Sequence, residues 1–389
     1  MHLGRFHFVI EALVTHFIRA QIPHKLEQCA VLLDQYASGR APPQLEAFRT
    51  SVEDLMASAD SLGSDLAQPY AGQVISEMRI DSILPPIFQN AVKNTISGRS
   101  FDPAGLAAEL RSMAAAATEK ISHLTFIFDG FAALGVEYQK VESESAELGF
   151  LLPREVVGDT LKDLTKEFGE LNKLLRAVNE LVASEEYDPR VLTISSSWWQ
   201  VFLNLDPDQI LVWVLVIERI VGLFKSNLEI KNLQQQLGDQ KMPQKITDLI
   251  EKEIESRVST QLQELAKEIR RDYSKIADVE RLNEIETQLR QGLIHLAKRM
   301  NQGAHVEINV GIPDEPTLSE AEAESDDATE AFQQTLEHAK ERIAKLRDLR
   351  DLARSASSKT TAIGQNAPLL LNQDIPQEPA PDALVKRDA

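Results

Sequence analysis

The chain carries a single cysteine, Cys29, in 389 residues. That excludes an intrachain disulfide and a multi-cysteine zinc site, and it fits a reducing, cytoplasmic compartment. Cys29 lies between Gln28 and Ala30 in a helical stretch and reads as a buried, inert thiol. Aromatic residues are scarce at 6%, so the places where they gather are informative. The glycine patterns of phosphate loops, dinucleotide-binding turns and nucleophile elbows are missing, which removes those common signatures. Positive charge is in short supply: 41 Lys and Arg face 60 Asp and Glu, for a net charge of −19. Such a field repels phosphate backbones and anionic lipid, so no nucleic-acid partner is expected. The eight histidines are scattered, with no i, i+4 pair around a glutamate. They read as structural, and no metal or other cofactor is expected.

Long hydrophobic runs are also missing. The longest, Ile210 to Ile217, is interrupted by Glu218 and Arg219, whereas a spanning helix needs about 20 apolar residues. This stretch therefore reads as a helix buried in its own domain. The N-terminal segment MHLGRFHFVIEALVTHFIRAQ carries Glu11, His16 and Arg19 and is not read as a signal peptide.

What is present is an ordinary globular balance, 43% apolar and 26% charged, long enough for two or three domains. Residues 1–145 read as a helical domain, with breaks near Pro23, Pro42, Gly63, Pro85 and Gly98. Asp102 before Pro103 predicts a capped helix start. Residues 146–312 read as an α+β module. Its predicted strands are 147–152, 190–204 and 305–310, and helices 155–183 and 207–238 cover one face. The segment 190–204 is the most β-branched and is expected at the centre of the sheet, as one strand or as a hairpin. From 243 to 303 an apolar stripe recurs at a mean step of roughly 3.6, which predicts one long helix or two, extending as an arm.

Residues 313–330 read as an acidic linker. In the helix 331–354, Phe332, Leu336, Ile343 and Leu346 recur with Ala339 at alternating steps of four and three, a short coiled-coil seam. Residues 355–389 read as a disordered tail.

The remaining chemistry is sparse. Glu218 and Arg219 are adjacent, so on a helix they point about 100° apart and are expected to pair with different neighbours. Asp208 with Glu229 and Lys231 matches a loose metal-nuclease pattern, but a continuous helix separates them by roughly 30 Å. His295 falls close to the packing stripe, and Arg270, Arg271, Lys298 and Arg299 read as a solvated helix face. Ser195 to Ser197 lack any activating context.

The segments Leu148-Gly-Phe-Leu-Leu-Pro-Arg-Glu155, Thr193-Ile-Ser-Ser-Ser197, and Glu218-Arg219 through Leu228-Glu-Ile-Lys231 resemble a loosely defined group of uncharacterised bacterial proteins over residues 146–310. The resemblance implies a bacterial source and a strand–helix–strand–helix module, and it carries no functional residue over.

The expected fold is mostly α with a small α+β module: an N-terminal helical bundle, a short β-sheet covered by helices, the arm and the coiled coil. Three functional readings follow. The first is a non-enzymatic scaffold or adaptor that self-associates or docks a protein partner through its helical stripes. The second is an enzyme with its site between the helical domain and the module. The third is a peripheral membrane protein using residues 198–224.

Overall fold

A computed structural model describes residues 3–39, 42–59, 66–99, 102–137, 141–182, 189–195, 198–238, 244–313 and 326–364. It is mostly helical, with a small antiparallel sheet. The N-terminal helices are α1 (Leu3–Ala20), α2 (Ile22–Gly39), α3 (Pro42–Ser58), α4 (Pro69–Glu77), α5 (Ile87–Gly98) and α6 (Pro103–Ala133). Asp102 caps α6 as the sequence predicts, accepting the Gly105 N–H at 2.9 Å ahead of a Pro in the first turn. The apolar faces of these helices close one core around Ile10, Leu13, Ile22, Leu26, Leu55, Phe88 and Leu110.

The sheet consists of β1 (Ala146–Leu152), β2 (Val191–Ser195), β3 (Trp199–Leu205) and β4 (His305–Val310), in the order β2-β3-β1-β4. The segment 190–204 is thus a hairpin, with Ser195 opposite Gln200; its second strand, β3, is an inner strand of the sheet and its first, β2, an edge. β1 lies between β3 and β4 and is buried at every position, while β2 is an edge that exposes Val191 and Ile194. β-branching marks strand propensity; burial on both faces is what marks an inner strand.

One face of the sheet supports the second core. Leu148, Phe150, Val201, Leu203, Val306 and Ile308 meet helices α8 (Leu161–Val182), α9 (Ile210–Gly238) and α11 (Val279–Asn301). A break at Gly158 separates α8 from the short α7 (Arg154–Val157), so the expected helix 155–183 is two pieces. Trp213 of α9 packs edge-to-face on Phe150 with ring centroids 5.9 Å apart. Between residues 210 and 217 only Leu211 is exposed. The apolar run is therefore core. Among the described residues, no helix is long and apolar enough to cross a membrane.

The stripe at 243–303 is not an arm. It is broken into α10 (Gln244–Tyr273) and α11, and both halves fold back. The break is tied down where Lys275 N–H donates to Leu181 O at 3.0 Å and Asp278 caps α11 through the Glu280 N–H at 2.9 Å. Ile254, Val258, Leu262, Leu265 and Ile269 of α10 join Leu289, Leu293 and Leu296 of α11 in the core beneath the sheet. Gly292 lets α11 approach α8 closely, since an added Cβ would lie 2.7 Å from Leu174 Cβ.

The tail also differs from expectation. Helix α12 (Asp326–Gly364) takes in the end of the expected linker and the start of the expected disordered tail. Its small side chains explain this: Ala353, Ala356, Ser357 and Thr360 are buried, letting the helix lie closely on β4 and α9. Ser357 Oγ accepts the Ile308 N–H at 2.9 Å and donates to Ala353 O at 2.8 Å. α12 thereby covers the edge of β4 that β1 leaves open. Residues 314–325 and 365–389 lie outside the described residues.

Candidate functional site

Strand alternation sends every second side chain to the other face of the sheet. There the register places Glu147, Gly149 and Leu151 of β1 beside Asn204, Phe202 and Gln200 of β3, and beside Asn309, Glu307 and His305 of β4. This second face is largely polar, and the N-terminal helices cover it; Leu151 and Phe202 belong to their core.

Gly149 stands opposite both Phe202 and Glu307. Its missing side chain makes room for the Phe202 ring, which an added Cβ would approach to 2.4 Å. The Arg5 guanidinium of α1 lies 3.7 Å from the centroid of that ring and donates to Glu147 Oε2. Tyr70, in the first turn of α4, donates its backbone N–H to Glu307 Oε2 at 2.8 Å. A helix N-terminus has such donors to spare and favours a carboxylate. Asn309 Nδ2 donates to Glu307 Oε1 at 2.9 Å, and Gln200 Nε2 donates to Gln73 Oε1 of α4.

The cluster is closed to solvent: Arg5 is 8% exposed, Glu147 4%, Glu307 4% and Tyr70 5%. Burial pushes the Glu307 carboxyl above its ordinary range, and the nearby Glu147 adds to this. The Asn309 and Tyr70 donors and the Arg5 charge offset it only in part. Burial likewise raises the Tyr70 hydroxyl. The hydroxyls of Tyr70, Thr193 and Ser195 are buried without a hydrogen-bond partner. Chemically, the arrangement can clamp two layers together and hold a proton. Among the described residues its charged groups are buried between the sheet and the helices and bonded to one another or to neutral donors.

Two other polar clusters were candidates. Glu167 of α8, 2% exposed, accepts from His295 Nε2 at 2.8 Å and from Arg299 Nη2 at 2.6 Å, both on α11. Burial raises the Glu167 carboxyl, but these two donors outweigh it and hold it below the ordinary range. The cluster ties α8 to α11. An open groove of about 1170 Å³ runs between α9, α10 and α11 past Arg219, Lys267, Glu268, Arg270 and Glu286. Its arginines are already paired: Arg219 grips both Glu268 oxygens at 2.9 Å, and Arg270 holds Glu286. Glu218 pairs instead with Lys359 of α12 at 2.8 Å, so the adjacent charges do take separate partners.

Of the expected seam residues, Ile343 and Leu346 are buried within this chain, and Leu346 belongs to the core beneath the sheet. The side chains of Phe332 and Leu336 lie outside the described residues. Cys29 is buried, and burial raises its thiol. Glu229 and Lys231 continue α9, away from Asp208. Among the described residues, no group of three or more His, Cys, Asp or Glu is placed to hold a metal ion.

Sequence reading missed Arg5, Glu147, Tyr70 and Glu307. The alternation of His305 to Val310 did place Glu307 away from the apolar face, where a charge ordinarily meets water. Nothing local indicates that an arginine 142 residues before Glu147 will cover that face.

No protein-family model, no curated protein and no solved structure matches the chain.

Proposed function

We propose that this chain is a non-enzymatic interaction protein, an adaptor or scaffold, that docks a protein partner on the end of α6. The observation that carries this reading is the aromatic C-terminal end of that helix. Phe126 is 82% exposed and Leu134 79%, with Leu3 of α1 at 54%. Ile127, Phe128, Phe131 and Phe6 are half-buried around them. The sequence Phe126-Ile-Phe-Asp-Gly-Phe131 is apolar on more than one side of the helix. α1 covers one side, with Phe6 edge-to-face on Phe131 at 5.8 Å. A cluster of exposed large side chains marks an interaction site better than single ones do. Asp129 and Glu137 flank it, and the whole chain carries −19. That charge favours a partner whose apolar surface has basic flanks over a second copy of this chain.

Of the helical stripes first considered for this role, the described apolar side chains such as Ile254, Leu289, Ile343 and Leu346 are buried within this chain, so the interaction reading rests on α6. The enzyme reading called for ionisable groups in a cleft between the helical domain and the module. The ionisable groups are there, but they are buried and occupied with one another.

A photo-crosslinking residue placed at Phe126 in cells tests the proposal. A discrete adduct that weakens with added salt and disappears with Leu134→Asp supports it. An adduct of twice the chain's own mass reassigns the surface to self-association. No adduct, or equal adducts from an exposed position on α3, overturns it.

A further inference from the structure

The charge count at the junction is uneven. Glu147 and Glu307 lie diagonally across β1 and β4, both buried, and among the described residues one cation, Arg5, reaches the pair. Arg5 donates to Glu147, whereas the donors to Glu307 are neutral: the Tyr70 N–H and the Asn309 amide. If both carboxyls ionise, the closed junction holds one uncompensated negative charge; with one proton bound it is neutral. An uncompensated buried charge is resolved by taking up a proton or by opening to water.

The groups facing Glu307 are few. α1 supplies Arg5, β1 supplies Glu147, and α4 supplies Tyr70, with Glu77 acting on Tyr70 from the exposed end of that helix. On β4 itself, His305 shares the face and its Nδ1 lies 3.2 Å from Thr360 O. α12 meets β4 through Ala353, Ala356, Ser357 and Thr360, which carry no charge.

We infer that the N-terminal helices dock on the sheet with one proton held at Glu307, so that docking loosens as pH rises. Burial acting on Glu307 pushes its carboxyl in the direction this requires. The sign follows from linkage. A carboxyl raised in the docked state stabilises that state below its ordinary value, and the stabilisation is lost as pH rises through the docked value. Because Glu307 receives the α4 N-terminus, α4 is the element released first.

The test is amide hydrogen exchange at Tyr70, followed from about pH 5 to about pH 9 and corrected for intrinsic exchange. Val178 in the module core serves as an internal reference. In the wild type, protection at Tyr70 should fall with pH by up to about tenfold per pH unit while Val178 holds. Glu307→Gln keeps an acceptor for Tyr70 and cannot ionise, so its protection should be at least as high and flat with pH. Glu147→Gln leaves Arg5 to neutralise Glu307, so the fall should move to more acid pH. A wild-type profile that is flat, or a Glu307→Gln profile with the wild-type slope, overturns the inference.

Discussion

Arg5→Met is the sharpest test of the buried junction. The Arg5 and Glu147 side chains are 9% and 5% exposed, so solvent screening gives little relief. Removing the guanidinium leaves the buried Glu147 carboxyl beside Glu307 without its ion-pair partner. Breaking a buried ion pair from one side costs about 3–5 kcal/mol. Loss of the cation over the Phe202 ring adds about 0.5–2 kcal/mol, and the methionine sulfur on the same ring returns a similar amount. The expected cost is therefore about 3–5 kcal/mol. Urea unfolding measures it, followed by tryptophan fluorescence and far-ultraviolet circular dichroism. Two cores can melt in separate steps, so both signals are followed. Trp198 packs against the N-terminal core and Trp213 lies in the other, which lets fluorescence sense each. The control is Arg5→Met combined with Glu147→Gln, which removes the stranded charge and should recover more than half of the loss. A single variant costing under about 1 kcal/mol would refute the reasoning. So would a double variant whose loss is the sum of the two single ones.

Ser357→Ala should strand the Ile308 N–H against α12 and cost about 1–3 kcal/mol; exchange at the Ile308 amide should quicken, and unchanged exchange would mean that α12 does not seal that edge. Glu167 predicts the opposite pH behaviour from Glu307. His295 and Arg299 hold its carboxyl below the ordinary value of 4.5 despite its burial. Its stabilising contribution is therefore complete above that value and lost as pH falls through the lower folded value. Acid unfolding of the wild type should show this loss, and Glu167→Gln should be less stable near neutral pH but less sensitive to acid. Parallel acid curves would count against the assignment.

Much of this architecture is legible in local pattern. Asp102-Pro103, the step of three or four along α8 and the alternation of β4 each depend on neighbours within a turn or two; the cap and the strand form where expected, and the helix does so from Leu161 on, past a break at Gly158. The failures share one cause: they depend on what lands on an element from far away in the chain. The stripe of α10 and α11 has the right period for a helix, but period alone does not say whether a stripe packs on its own chain. Ser357 and Thr360 look like a polar tail until β4 supplies an unpaired edge for their hydroxyls. The second face of the sheet was the least legible. Glu147 and Glu307 have the alternation of solvent-facing residues, and only the distant Arg5 and the start of α4 bury them.

The polar character of that junction argues for more than adhesion. Apolar side chains of similar volume would hold two layers together as well or better, because desolvating ions offsets much of what their attraction returns. Ionic groups instead reward one placement, since a shift of α1 by one residue would take Arg5 off Glu147 and leave both charges buried and unpaired. The same turn of α1 reaches the other way as well. Phe6 packs on Phe131, and the His7 ring lies 4.9 Å from that of Phe131. Arg5, Phe6 and His7 thus join the buried carboxyls to the aromatic end of α6 through one turn of backbone. One site biases the other when α1 has two arrangements that both sites favour unequally, and this turn is where both would feel the change. The proton at Glu307 and the exposed face at Phe126 are therefore best understood together.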